Sequence, residues 1–221
     1  MELFSGYAVP TKNKPASYPL DAAGVIKQVS SGWLAKWKLG VIPSRFDFSD
    51  NLVRATKMDE RVLAKFIARH MQHKDLILID CAPTESIFTK AAYHASRYVL
   101  IPVKLEFFST IGFPLMKQSL ESFRTGNRGH TIDVCGVLVH RTKTSGYGSS
   151  ADGRDSLIDI RKKAKDYKWD IFTNRMDHSD AYPRWAKDPY AGYLGNAGIE
   201  WPDVAKEILA KIDLGKQEKE Q

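Results

Sequence analysis

Nine residues, Asp75-Leu76-Ile77-Leu78-Ile79-Asp80-Cys81-Ala82-Pro83, constrain this chain more than any others. Four successive aliphatic residues leave no polar alternation. That predicts a strand covered on both faces, the habit of a parallel sheet between helices. Asp80 closes the run. A carboxylate at the carboxyl end of such a strand sits on the rim where open α/β folds bind ligands, and its hard oxygens suit a magnesium ion held through water. The same pattern also simply ends strands and flanks helices, and these nine residues leave both readings open. Thr84 or Ser86 is placed to cap the helix that follows.

Strand and helix patterns alternate along the rest of the chain, which predicts an α/β fold with a mainly parallel sheet flanked by helices. Residues 1–20 hold three prolines among polar residues and read as an irregular segment. Asp21 caps a predicted helix to Trp37, and Leu39–Pro43 reads as a short strand. A long amphipathic helix from Ser49 or Asp50 to His73 would turn Leu52, Leu63, Phe66, Ile67 and His70 inward. Helices over Ser86–Arg97, Phe108–Phe123, Arg154–Lys168 and Trp201–Ile212 are interleaved with strands at Tyr98–Val103, Ile132–Val139 and Trp169–Thr173. Thr144–Gly153 and Asn174–Gly198 read as loops, and residues 215–221 as a solvated tail. Residues 21–214 thus form one domain.

Composition narrows the class. Cys81 and Cys135 each sit in an apolar run, so two buried thiols in a reducing compartment are expected. No apolar run approaches the roughly 20 residues a membrane span needs. A cytoplasmic protein, nucleoid-associated in its family setting, is the simplest expectation. The net charge of +7 suits an acidic partner such as DNA. Metal-binding cysteine spacings, nucleophile elbows and paired carboxylates are not visible.

The segments Leu76–Pro83, Leu100–Val103, Glu106-Phe107-Phe108 and Cys135–Thr142 stand in an order that resembles the ParA/MinD-type partition ATPases, ParA/Soj branch. That family shows an aliphatic strand before Asp-Cys-Pro-Pro, then a Leu-Ile-Pro-Val strand, an acidic-aromatic pair and a Gly-Val-Leu strand ending in Asn-Arg. The resemblance also takes in Leu39–Pro43 and Ile171–Pro183, and so covers residues 39–212. It implies a Rossmann-like P-loop NTPase-type fold carrying an AAA domain, with ATP and Mg²⁺ as cofactors. It further implies a homodimer that binds DNA non-specifically, a ParB-like stimulating partner, and a role in plasmid or chromosome partition or cargo positioning. A dethiobiotin or cobyrinate synthase type shares the strand ending at Asp80, but Leu100–Val103 and Glu106–Phe108 match the partition branch better.

One part of the family pattern is not found. No Lys-Gly-Gly-x-Gly-Lys loop, the Walker A element whose backbone N–H groups hold phosphates, occurs among the 221 residues. The expected fold therefore lacks the first strand, that loop and the following strand. A fragment or truncated homologue fits the retained order best; a substitute element or a strand lent by a partner chain are the other readings. By resemblance Asp80 is the metal-site and catalytic carboxylate. Pro83 and Thr84 fall in the nucleotide-sensing switch, while His140 and Arg141, with Asn174, lie near the base. Arg161, Lys162, Lys163, Arg175, Arg184 and Lys187 are candidates for DNA contact, although a charged helix such as Arg154–Lys168 is as commonly a solvated face. Without the phosphate loop, a nucleotide-independent DNA- or partner-binding module is the alternative function.

Overall fold

The computed structural model describes residues 27–28, 40–42, 59–81, 85–106, 110–142, 151–177 and 197–212. The chain divides into two compact units, Met1–Ser96 and Arg97–Gln221.

The first unit holds β1 (Lys27–Gln28), β2 (Gly40–Val41), α1 (Val62–His70) and α2 (Ile87–Ala95). β1 and β2 pair antiparallel, Lys27 opposite Val41 and Gln28 opposite Gly40. The helix expected over Asp21–Trp37 is therefore overturned at its centre. At Lys27 and Gln28 the pairing with Val41 and Gly40 supplies partners for the backbone that a helical spacing alone does not reveal. The Asp59 side chain accepts from the Arg61 N–H at the start of α1 and pairs with Lys65. Val62 and Phe66 are its buried positions, and Phe66 and Met71 form a small core against Leu63, Ile67, Ile42 and Ile77. α2 begins as expected, with the Ser86 hydroxyl accepting from the Thr89 N–H at 3.3 Å.

The Asp75–Cys81 segment departs from expectation. It joins no ladder, and none of residues 76–80 makes a hydrogen bond among the described residues. Leu78 is 82% exposed and Leu76 43%, while Ile77 and Ile79 are half-buried. The strand buried on both faces is thus corrected to an extended segment covered on one. A sheet strand needs neighbours on its edges to take its N–H and C=O groups, and none is described beside this one. Cys81 is exposed and Cys135 buried, so only one thiol matches expectation.

The second unit is a three-layer α/β structure. β3 (Tyr98–Lys104), β4 (Asp133–Thr142) and β5 (Met176–Asp177) form a parallel sheet in that order. Ile101, Val103, Val137 and Val139 alternate to one face. There they pack under α3 (Gly112–Gly126) and α4 (Ala151–Asp166) through Phe113, Ile160, Ala164 and Trp169. Leu138 with Cys135, Phe172 and Met176 fills the other face beneath Val204 and Ile208 of α5 (Ala197–Lys211). Each fully buried aliphatic or aromatic side chain contributes roughly 1.5–3 kcal/mol.

Local geometry explains how β4 serves both faces. The register slips between Val99 and Leu100, so that Leu100 faces Gly136. Gly136 has φ +151°, and a Cβ there would lie 2.8 Å from the Phe172 ring. Glycine is required by both conformation and space. The turn after α4 passes through Lys168, whose φ of 59° lets the Trp169 N–H reach the Ala164 carbonyl at 2.8 Å. Both α4 and α5 start earlier than expected, at Ala151 and Ala197, leaving Pro202 inside α5. Among the described residues, no helix is long and apolar enough to cross a membrane.

Candidate functional site

Parallel pairing brings the carboxyl ends of the strands together in the second unit. Lys104 of β3 faces His140 of β4, and His140 faces Met176 of β5. The Leu105 N–H donates to the His140 carbonyl at 3.2 Å. His140 and Arg141 thus lie on the rim expected for a ligand, with the half-buried His140 ring able to donate and accept when neutral. Lys104, an exposed cation on the same rim, did not stand out in the sequence.

Asn174 reaches this rim through a break in the last strand. Ile171 bridges to Val137, after which the ladder resumes only at Met176. The intervening residues turn to α5 instead. Glu207 accepts from the Thr173 N–H at 2.7 Å, the Asn174 N–H at 2.9 Å and the Asn174 side-chain amide at 2.9 Å. The Asp203 carbonyl takes the same amide at 3.4 Å. Glu200 accepts from the Asp177 N–H at 2.9 Å, and Lys211 pairs with Asp170 at 2.9 Å. One face of α5, Glu200, Val204, Glu207 and Lys211, is therefore fastened along residues 170–177 in reverse order. The short strand expected over Trp169–Thr173 pairs with β4 through Val137, whose N–H donates to the Asp170 carbonyl at 2.8 Å and whose carbonyl accepts from the Phe172 N–H at 3.0 Å. It stops where Glu207 takes the Thr173 N–H.

The two glutamates are set apart electrostatically. Burial pushes the Glu207 carboxyl up, but the Asn174 and Thr173 N–H groups, the Asn174 amide and Lys211 together outweigh it and hold it below the ordinary range. At Glu200 burial prevails over the Asp177 N–H, and the neighbouring Asp177 charge adds to the rise. The spacing of Glu200, Val204, Glu207 and Lys211 was the one sequence signal for this clamp, an i, i+4, i+7, i+11 stripe with polar ends.

Asp80 belongs to the first unit and is exposed. Its carboxylate suits one oxygen position on a hydrated magnesium ion whose other partners come from nucleotide phosphates. Among the described residues no three His, Cys, Asp or Glu side chains converge on a metal position. Pro83, Thr84, Arg184 and Lys187 lie outside the described residues.

The cationic candidates separate into groups. Arg161 and Lys162 are exposed on α4 and form no ion pair among the described residues, with Arg154 and Lys165 also exposed on that helix. Lys163 is occupied otherwise: its ammonium donates to the buried Thr110 hydroxyl at 2.6 Å and pairs with Asp159 at 3.2 Å. The Thr110 hydroxyl in turn donates to Asp159. That bond, opposed by burial and aided by Lys163, holds the Asp159 carboxyl below its ordinary range. Arg175 is half-buried in the segment fastened to α5.

A protein-family model described as an AAA domain matches residues 25–131. Among curated proteins, the chain is 32% identical over 109 residues to the chromosome-partitioning ATPase Soj of Treponema pallidum, covering 48% of this chain and 43% of Soj. Matches of this kind span 33% to 49% of the curated relatives' own lengths. Among solved structures, apo McdA from Cyanothece superposes with a TM-score of 0.67 at 18% identity, covering 84% of this chain and 72% of McdA. Cobyrinic acid a,c-diamide synthase from Mycobacterium smegmatis, with bound ADP and magnesium, gives a TM-score of 0.58 at 15% identity, over 77% and 69% of the two chains. At such identities the solved structures establish the fold.

Proposed function

We propose, from the likeness to ParA/MinD-type partition ATPases, a role in DNA partition or cargo positioning, with an adenine nucleotide at the strand rim and DNA against α4. The observation that supports the nucleotide part is the pairing of Lys104 with His140 at the carboxyl ends of the parallel strands β3 and β4. His140, Arg141 and Asn174 would engage the base, and Asp80, with Pro83 and Thr84, would serve magnesium and the switch. Bound magnesium would supply charge neutralisation at the phosphates. DNA contact would rest on Arg161 and Lys162, whose exposed charges suit sequence-independent phosphate binding. A homodimer and a ParB-like stimulating partner complete this reading.

A second reading has its own support. The Leu76–Asp80 segment, outside any ladder among the described residues, favours a nucleotide-independent DNA- or partner-binding module. Calorimetry with ATP and magnesium, run beside a DNA-retention assay, separates the two. Saturable ATP binding with a raised melting temperature supports the first. DNA retention without ATP binding supports the second. Under either, Arg161→Glu with Lys162→Glu should weaken DNA retention and flatten its salt dependence by about two phosphate contacts. Unchanged retention moves the DNA face elsewhere.

A further inference from the structure

Asn174 is held by α5 in one orientation. A carboxylate and a backbone carbonyl only accept hydrogen bonds, so the group turned to Glu207 and to the Asp203 carbonyl is the NH₂ of the Asn174 amide. Its Oδ1 takes no hydrogen bond among the described residues. The same Glu207 carboxylate fixes the backbone on which this amide is mounted, through the N–H groups of Thr173 and Asn174. An acceptor is thereby held two residues before Met176, the ladder partner of His140.

We propose that Glu207 is a positioning residue for ligand selectivity: by holding the NH₂ of Asn174 it presents Oδ1 as an acceptor at the rim. An acceptor so placed selects ligand edges that donate, such as the exocyclic amino group of adenine, and disfavours those that accept, such as the keto oxygen of guanine. The assignment rests on the nucleotide reading above. Glu207 touches no base itself. It acts through Asn174, whose N–H, with that of Thr173, outweighs burial and holds the Glu207 carboxyl below its ordinary range.

Replacing Glu207 by Leu tests this, because Leu removes both oxygens that fasten Thr173 and Asn174. The Asn174 amide is then free to turn over and no longer presents a fixed acceptor at the rim. Dissociation constants for Mg·ATP and Mg·GTP are measured by calorimetry on the full chain, with melting curves taken without nucleotide. The native chain should prefer ATP, and Glu207→Leu should reduce the ATP-to-GTP preference about tenfold, the effect of one hydrogen bond no longer held in place. Asn174→Ala should abolish the preference, and Glu207→Leu should add nothing in that background. A merely structural Glu207 would weaken both nucleotides equally and leave the ratio intact, which overturns the proposal. So does a preference that survives Asn174→Ala, a test that stands even where Glu207→Leu unfolds. Failure of the native chain to bind either nucleotide overturns the nucleotide reading and the inference together, whereas ATP binding with an unaltered ratio overturns the inference alone.

Discussion

Two aliphatic runs of nearly the same composition meet opposite fates in this molecule. In the second unit Val137, Leu138 and Val139 are 0–4% exposed, shared between the cores on the two faces of a parallel sheet. In the first, Leu76–Ile79 lies outside any ladder with Leu78 82% exposed. Hydrophobicity made the two segments look alike. What separates them is edges: β4 has a paired neighbour on each side, and residues 76–80 have none described. Apolar sequence supplies the drive to be covered, but a strand is stabilised only where neighbours satisfy its backbone.

The contrast can be broken by mutation. Ile160→Ala, at a wholly buried site beneath the sheet, should cost about 2–5 kcal/mol in urea denaturation. Leu78→Ala should stay within about 0.5 kcal/mol; a loss as large as that of Ile160→Ala would mean that Leu78 is covered in solution. Gly136→Ala should cost about 1–3 kcal/mol, because the new methyl meets the Phe172 ring in a backbone conformation unsuited to it. A neutral result would show the sheet relaxing at its register slip.

Acid should act on the second unit through two carboxylates, and on the first through Asp59, whose folded value is depressed as well. Asp159 and Glu207 have depressed folded values, so their stabilisation is complete above the ordinary carboxylate range, near pH 4. It is lost as pH falls through the lower folded values. Glu200, raised by burial, runs the other way and favours the fold as pH falls through its raised folded value. Asp159→Asn should therefore flatten the loss of melting temperature below about pH 4. An unchanged acid limb would remove the Thr110–Asp159–Lys163 cluster from the account. One change should be a gain: Lys168→Gly relieves the positive φ in the turn after α4 and should add about 0.5–1 kcal/mol.

Sequence reading succeeded where a signal was long and local. Tyr98–Val103, Ile132–Val139 and the body of the helices after them carry enough repeats for period to decide the element, and the Ser86 cap needs only three residues to declare itself. It failed where a partner distant in sequence made the choice. Val25 to Val29 reads as helix until Gly40 and Val41 are placed beside it. The break at Thr173–Arg175 is set by a carboxylate 33 residues away. The family pattern pointed to Asn174 and His140, but nothing local said that the amide of Asn174 would be held by α5, or that Lys163 would be bound to Thr110 and Asp159 rather than left for DNA.

The reversed fastening of α5 along residues 170–177 has a consequence for biosynthesis. A ribosome delivers the chain in order at roughly 5–20 residues per second, so the Thr173, Asn174 and Asp177 N–H groups emerge before Glu207 and Glu200 exist to receive them. For that interval β5 has only its β4 edge, and the lower face of the sheet, with Phe172 and Met176, faces water. A holding chaperone would find its target there, and arrival of the last helix would dismiss it.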